Sequence, residues 1–147
     1  MLAMKAPIPL CLVVSVSVLV GCNSTKKSYQ VEVNNQTNAP VTLWLCKDGP
    51  PKEEGWLSPE ELIDAHSERD LNYDFQVVDP AKTAYTDSLS GEFPKGTNAV
   101  LRVYPGTPNY FDMAKIGPGV RVEHTLKPGN NRMILTENAG QLVLHPK

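Results

Sequence analysis

Cys46, His66, His124, Met133 and His145 are side chains of the kind that bind soft metals and could in principle converge. A blue-copper centre uses two histidines, one cysteine and a weak methionine, so the inventory alone permits one. The spacing does not supply it, because Cys46 lies early in the chain and the next histidine is His66. Alternation places His124 on an apolar strand face, where a hydrogen-bonded core histidine is the ordinary occupant. The hydrolytic motifs G-x-S-x-G and H-E-x-x-H, the P-loop and the dinucleotide fingerprint are missing from the sequence. Ser88-Leu-Ser-Gly91 beside Asp87 has no histidine near it in sequence and reads as a polar turn. The sequence thus specifies no catalytic residue, metal or cofactor.

The acids are unevenly placed. Asp48, Glu53, Glu54, Glu60, Glu61, Asp64, Glu68 and Asp70 put eight of the sixteen acidic residues into 23 positions, opposed there by Lys52 and Arg69. No EF-hand spacing is present. Two of these acids have a structural reason, since carboxylates favour a helix N-terminus. Crowding the others costs stability through repulsion, which a basic partner or a cation would offset. Trp56 stands beside the cluster. Glu53, Glu54, Trp56, Glu60, Glu61 and Asp64 therefore form the expected interaction surface, with the acids steering and the indole supplying apolar contact. Tyr104, Tyr110 and Phe111 bracket a Pro/Gly loop and, with Trp56, are the aromatics that could stack on a sugar or peptide.

The elements that position these residues are mostly strands. Tyr29–Val33 alternates apolar and polar residues, Val41–Cys46 is rich in β-formers, and Tyr73, Phe75 and Val77 share one face. Ala99–Tyr104 and Val120–Leu126 alternate in the same way, and Arg132–Thr136 with Gln141–His145 predicts a hairpin. Trp44 falls between Leu43 and Leu45, so it faces either solvent or a second core. Turn chemistry separates the runs, as at Asp48-Gly-Pro-Pro51, Pro94-Lys-Gly96, Gly117-Pro-Gly119 and Pro128-Gly129. The pattern predicts an all-β domain, an antiparallel sandwich of about seven strands. One helix is expected as an insertion over Pro59–Ala65: Ser58 caps it, Pro59 takes the first position, Glu61 completes a capping box, and Leu57 and Leu62 form a hydrophobic staple. Leu126-Lys-Pro-Gly-Asn-Asn-Arg-Met-Ile134 resembles the L-x-P-G corner before a strand in many Ig-like and transthyretin-like domains, with Asn131 where an aromatic usually stands.

The N-terminus has its own organisation. One positive charge, Lys5, precedes an apolar run of eleven residues from Leu10 to Val20. That is too short to span a bilayer, which takes about 20 residues, and it fits the apolar core of a secretory signal. The run closes in Leu19-Val20-Gly21-Cys22, which resembles the lipobox of bacterial lipoproteins. The resemblance implies a signal peptide over residues 1–21, cleavage before Cys22, and acyl chains on Cys22 that seat the protein in the lipid bilayer. Two or three chains anchor stably where one does not. Asn23 rather than Asp after the cysteine implies the outer membrane, with the domain facing the periplasm. Residues 22–28 are then a lipidated, polar tether, and residues 29–147 the domain.

Removing 21 of 147 residues leaves 126, enough for one domain. Removing Lys5 leaves 13 basic against 16 acidic side chains, a net charge of −3. A mildly acidic chain without a basic cluster excludes nucleic acid as the natural partner. Cys11 leaves with the signal and Cys22 carries lipid, so Cys46 has no cysteine to pair with in the mature chain. The function these readings imply is a membrane-anchored envelope lipoprotein, a non-catalytic interaction or structural module with an envelope protein partner. The alternative is a ligand-binding module for a metal ion or saccharide.

Overall fold

The computed structural model describes residues 25–65 and 75–147. Nine strands form two facing sheets: β1 (Thr25–Asn35), β2 (Val41–Lys47), β3 (Gln76–Val78), β4 (Thr83–Tyr85), β5 (Leu89–Phe93), β6 (Ala99–Pro105), β7 (Val122–Thr125), β8 (Gly129–Asn138) and β9 (Gln141–Pro146). The first sheet runs β4-β1-β8-β9, with β5 also on β1, and the second runs β3-β2-β6-β7. The all-β sandwich expected from alternation is the fold. Every strand pair is antiparallel except β1 with β8, which is parallel from Tyr29 opposite Gly129 to Asn35 opposite Leu135. A parallel pair needs a long crossover, and here the whole second sheet lies between the two strands in sequence.

Two of the additional strands are short and polar. β4 has three residues, and β5 is Leu-Ser-Gly-Glu-Phe, part of the stretch expected as a polar turn. Their register comes from β1: Thr83–Tyr85 pairs with Asn34–Glu32, and Leu89–Phe93 pairs with Tyr29–Thr25. The same pairing moves the start of the domain. Thr25-Lys-Lys-Ser28, expected as tether, is the first part of β1. Backbone ladder bonds to β5 hold it there, and no apolar periodicity announces such a segment.

The core between the sheets takes Tyr29, Val31 and Val33 from β1, Val41 and Leu43 from β2, Leu101 and Val103 from β6, and Met133 and Leu135 from β8. A second core lies on the outer face of the second sheet. There Trp44, Cys46 and Tyr104 are covered by Leu57, Leu62 and Met113. Two helices supply the cover: α1 (Pro59–Ala65) and α2 (Tyr110–Lys115). Trp44 therefore faces the second core, and its indole N–H donates to Leu57 O at 2.8 Å.

The start of α1 is the one expected. The Glu61 amide donates to Ser58 Oγ at 3.2 Å, and the Ser58 amide donates to the Glu61 carboxylate at 3.0 Å. Leu57 and Leu62 are both buried in the second core. α2 lies in the expected Pro/Gly loop, started by Asn109, whose side chain accepts from the Asp112 amide. At the L-x-P-G corner, Asn131 does by hydrogen bonding what an aromatic would do by packing. It accepts from the Lys127 amide at 3.0 Å and donates to Lys127 O, Gly129 O and Gln30 O at 2.8, 3.0 and 3.3 Å. Gly129 has a φ of +95°, which glycine adopts without the strain a Cβ would bring.

Ser58→Ala removes one half of the capping box at a residue that is itself buried. The expected loss of unfolding free energy is about 0.5–2 kcal/mol, read from urea melts of the variant against wild type. An unchanged midpoint would mean that the second core alone holds α1.

Candidate functional site

The acidic insertion is the candidate site, and most of its described acids are already engaged inside the protein. Asp48 accepts from the Asn98 backbone amide and, at 2.7 Å, from the Asn98 side chain. Glu53 pairs with Lys47 at 2.5 Å, and Glu61 serves the cap while lying 3.6 Å from Lys52. Glu54 and Asp64 are exposed. Glu68, Asp70, Arg69 and His66 lie outside the described residues. The repulsion expected from crowded acids is therefore relieved largely by cations and amides of the chain itself.

Glu60 has the most built surroundings. Arg102 Nη1 donates to one of its oxygens at 2.6 Å, and Arg121 Nη1 donates to the other at 2.8 Å. Both arginines also reach Glu123 Oε1, Arg102 Nε at 3.0 Å and Arg121 Nε at 2.8 Å. Two carboxylates and two guanidiniums thus alternate in a closed ring. Arg121 Nη1 also donates to Ile116 O at 2.7 Å, just after α2. The ring joins α1, the end of α2, β6 and β7. Guanidinium geometry suits this, because its fixed fork serves several oxygens at once. Burial acts to raise the pKa of Glu60, but its own backbone amide and the two arginines outweigh it and hold the carboxyl below its ordinary value.

Trp56 corrects the expected surface. Its ring is 2% exposed and belongs to the core between the sheets. It meets Tyr29 edge-on with centroids 5.5 Å apart and Phe93 edge-on at 5.3 Å, while its N–H donates to Ser90 O at 3.2 Å. The 3-10 turn Glu54–Trp56 turns the indole inward over β5. Gly91 makes this possible: a Cβ there would stand 2.7 Å from both Trp56 Nε1 and Glu53 Oε2. Beside it, Lys47 Nζ reaches Glu53 and donates to Glu92 O at 2.9 Å, and the Glu92 amide donates to both Glu53 oxygens at 3.0 and 3.1 Å. Burial would raise the pKa of Glu53, yet the Lys47 and Glu92 hydrogen bonds bring it below the ordinary value. Of the six residues expected to form one surface, Glu53 and Trp56 thus serve the join between the sheets, and Glu60 and Glu61 hold α1. Glu54 and Asp64 are exposed and make no ion pair among the described residues.

The other aromatics divide similarly. Tyr104 is fully buried in the second core, whereas Phe111 is exposed on α2 with Tyr110 stacked against it at 4.1 Å. Among the metal candidates, burial pushes the Cys46 thiol up to about 12, with Arg102 opposing that rise, so the thiolate a metal needs is disfavoured. Met133 is in the core between the sheets, and His145 is exposed beside Thr136. Among the described residues no three His, Cys, Asp or Glu side chains gather as a metal site. One open groove, of about 500 Å³, lies where the edges of the two sheets part; Leu43, Leu45, Leu57, Phe75, Tyr85 and Asp87 are among its lining. Tyr85 and Phe75 are exposed there.

Sequence reasoning missed Arg102 and Arg121. The signal available was that β6 alternates Leu101 and Val103 with Val100, Arg102 and Tyr104, a second face too apolar to be solvated. Comparison with protein-family models, curated proteins and solved structures finds no match to this chain.

The carboxylates of Glu53 and Glu60 titrate lower in the folded protein than their ordinary 4.5. Their contribution is complete above about that pH and is lost as pH falls through the folded values. Glu60→Gln should cost about 1–3 kcal/mol at neutral pH by taking a charged partner from two arginines. It should also flatten the decline of stability below the ordinary carboxylate pKa. Urea melts at stepped pH read both effects, and parallel profiles for variant and wild type would refute the linkage.

Proposed function

We propose that this chain is a membrane-anchored lipoprotein of the bacterial cell envelope whose β-sandwich works as a non-catalytic interaction or structural module. The observation that carries the reading is the Leu19-Val20-Gly21-Cys22 pattern followed, three residues on, by a folded strand at Thr25. A signal segment, an acylated cysteine and a compact domain then follow one another without an independent linker domain. Asn23 supports the outer membrane, with the domain in the periplasm. The internal pairing of the described acids moves the expected protein contact to the side chains left toward solvent, Glu54 and Asp64 on the insertion.

The second reading, a saccharide-binding module, is supported by the groove with Tyr85 and Phe75 exposed beside Asp87. Aromatic faces with a neighbouring carboxylate suit the apolar and hydroxyl faces of a sugar. If this reading holds, Tyr85→Ala abolishes retardation of the protein in gels containing envelope polysaccharide; wild type running unretarded in every polysaccharide would refute it.

Cys22→Ala should block incorporation of labelled fatty acid and cleavage before residue 22, both read from intact mass. Acylation and processing like wild type would overturn the lipoprotein reading.

A further inference from the structure

The two cores meet at a single peptide bond. Trp56 is buried in the core between the sheets, and Leu57, the next residue, is buried in the second core. Before that boundary the chain is fixed to the sandwich: Glu53 pairs with Lys47, and the Trp56 N–H donates to Ser90 O at 3.2 Å. Beyond it, through the end of α1 at Ala65, the chain lies on the outer face of the second sheet. α2 lies on the same face, between the end of β6 at Pro105 and the start of β7 at Val122.

Strands and helices are held by different means. β2 and β6 pair backbone to backbone from Val41 opposite Pro105 to Lys47 opposite Ala99, and their inner faces are closed by the first sheet. The helices reach this pair through side chains. The Trp44 indole donates to Leu57 O, Arg102 and Arg121 hold Glu60, and Leu62 and Met113 pack beneath. α1 has seven residues and α2 has six. A lone helix shorter than about 12–15 residues is marginal in water, so both depend on the second core. They also depend on each other. α1 packs against α2, and Arg121 Nη1 serves Glu60 of α1 and Ile116 O after α2 at once. Withdrawing either helix strips contacts from the other.

We propose that α1 and α2 are a hinged cover: residues 57–65 and 109–116 open as one unit, turning at the bond between Trp56 and Leu57, while both sheets stay folded. Opening gives up only the contacts of the cover, so it costs less than global unfolding. The open form presents Trp44, Cys46 and Tyr104 to solvent. Cys46 is 3% exposed in the closed form, which makes its thiol the reporter of the motion.

The test uses the purified full chain in urea concentrations well below the unfolding midpoint. Labelling by N-ethylmaleimide is assigned to Cys46 by peptide mass, and backbone hydrogen exchange is followed in parallel. The expected result is Cys46 labelling, with exchange of α1 and α2, that rises only weakly with urea, because little surface is uncovered. Peptides of β1 and β8 should be several-fold better protected and should respond steeply. Glu60→Gln weakens the closed form against the open one and should speed Cys46 labelling by about tenfold. Val33→Ala lies in the core that the open form keeps. It should speed exchange in β1 and β8 and leave the Cys46 rate unchanged. A Cys46 rate that rises with Val33→Ala as exchange in β1 does, or that ignores Glu60→Gln, overturns the cover. Should Val33→Ala fail to fold, the wild-type urea dependence decides: Cys46 labelling as steep as exchange in β1 refutes local opening. Exchange in α1 and α2 that responds differently to urea or to Glu60→Gln refutes their motion as one unit.

Discussion

Strands β2 and β6 carry apolar side chains on both faces, and the domain has to cover both. Leu43, Leu101 and Val103 point into the space between the sheets, while Trp44, Cys46 and Tyr104 point the other way. A two-layer sandwich buries only the first set. Leaving an indole, a thiol and a phenol ring open to water would forfeit the transfer free energy of three large side chains, about 1.5–3 kcal/mol for each fully buried hydrophobe. The third layer, α1 and α2, answers that requirement. It explains why a helix with a well-made N-terminus is inserted between β2 and β3, and why Leu57, Leu62 and Met113 are its buried residues.

The same layer decides the electrostatics. Laying α1 on an outer face that also carries Arg102 brings Glu60 against two guanidiniums, and Glu123 closes the ring from β7. Arg121 keeps only 8% of its side chain exposed, so its charge needs these partners. Such pairs add little net stability against a well-packed apolar alternative, because desolvation offsets the attraction. What they do is tie α1 through Glu60 to both Arg102 and Arg121. A cluster of acids that reads in one dimension as an open, repulsive surface becomes, in three, the fastening of the outer layer.

A different pair of charges closes the end of the sandwich where β1 begins. Lys47 is buried at the tip of β2, and Glu53 meets it there while holding the Glu92 amide of the facing sheet. The aromatic group of Tyr29, Trp56 and Phe93 packs beside this pair, with Phe93 5.0 Å from Tyr29. Lys47 lies over the Phe93 ring at 5.3 Å. The start of β1 is thereby tied to both sheets.

Local chemistry was legible in the sequence wherever it depends on near neighbours. The capping box at Ser58 and Glu61, the staple of Leu57 and Leu62, the hairpin of β8 and β9, and the alternation that makes the domain all-β all rest on interactions a few residues apart. Pairing across long separations was not legible. β5 and the first four residues of β1 are strands only because each finds the other, with Lys26 opposite Glu92. Trp56 is a core residue only because Gly91, 35 positions away, leaves it room. The partners of Glu60 sit 42 and 61 positions along the chain. Periodicity reports which face a side chain is on; it carries no record of what comes to cover that face. Tertiary structure decided that Asp48, Glu53 and Glu60 are fastened rather than free, since contacts with another strand or loop exist only once packing has brought them within reach.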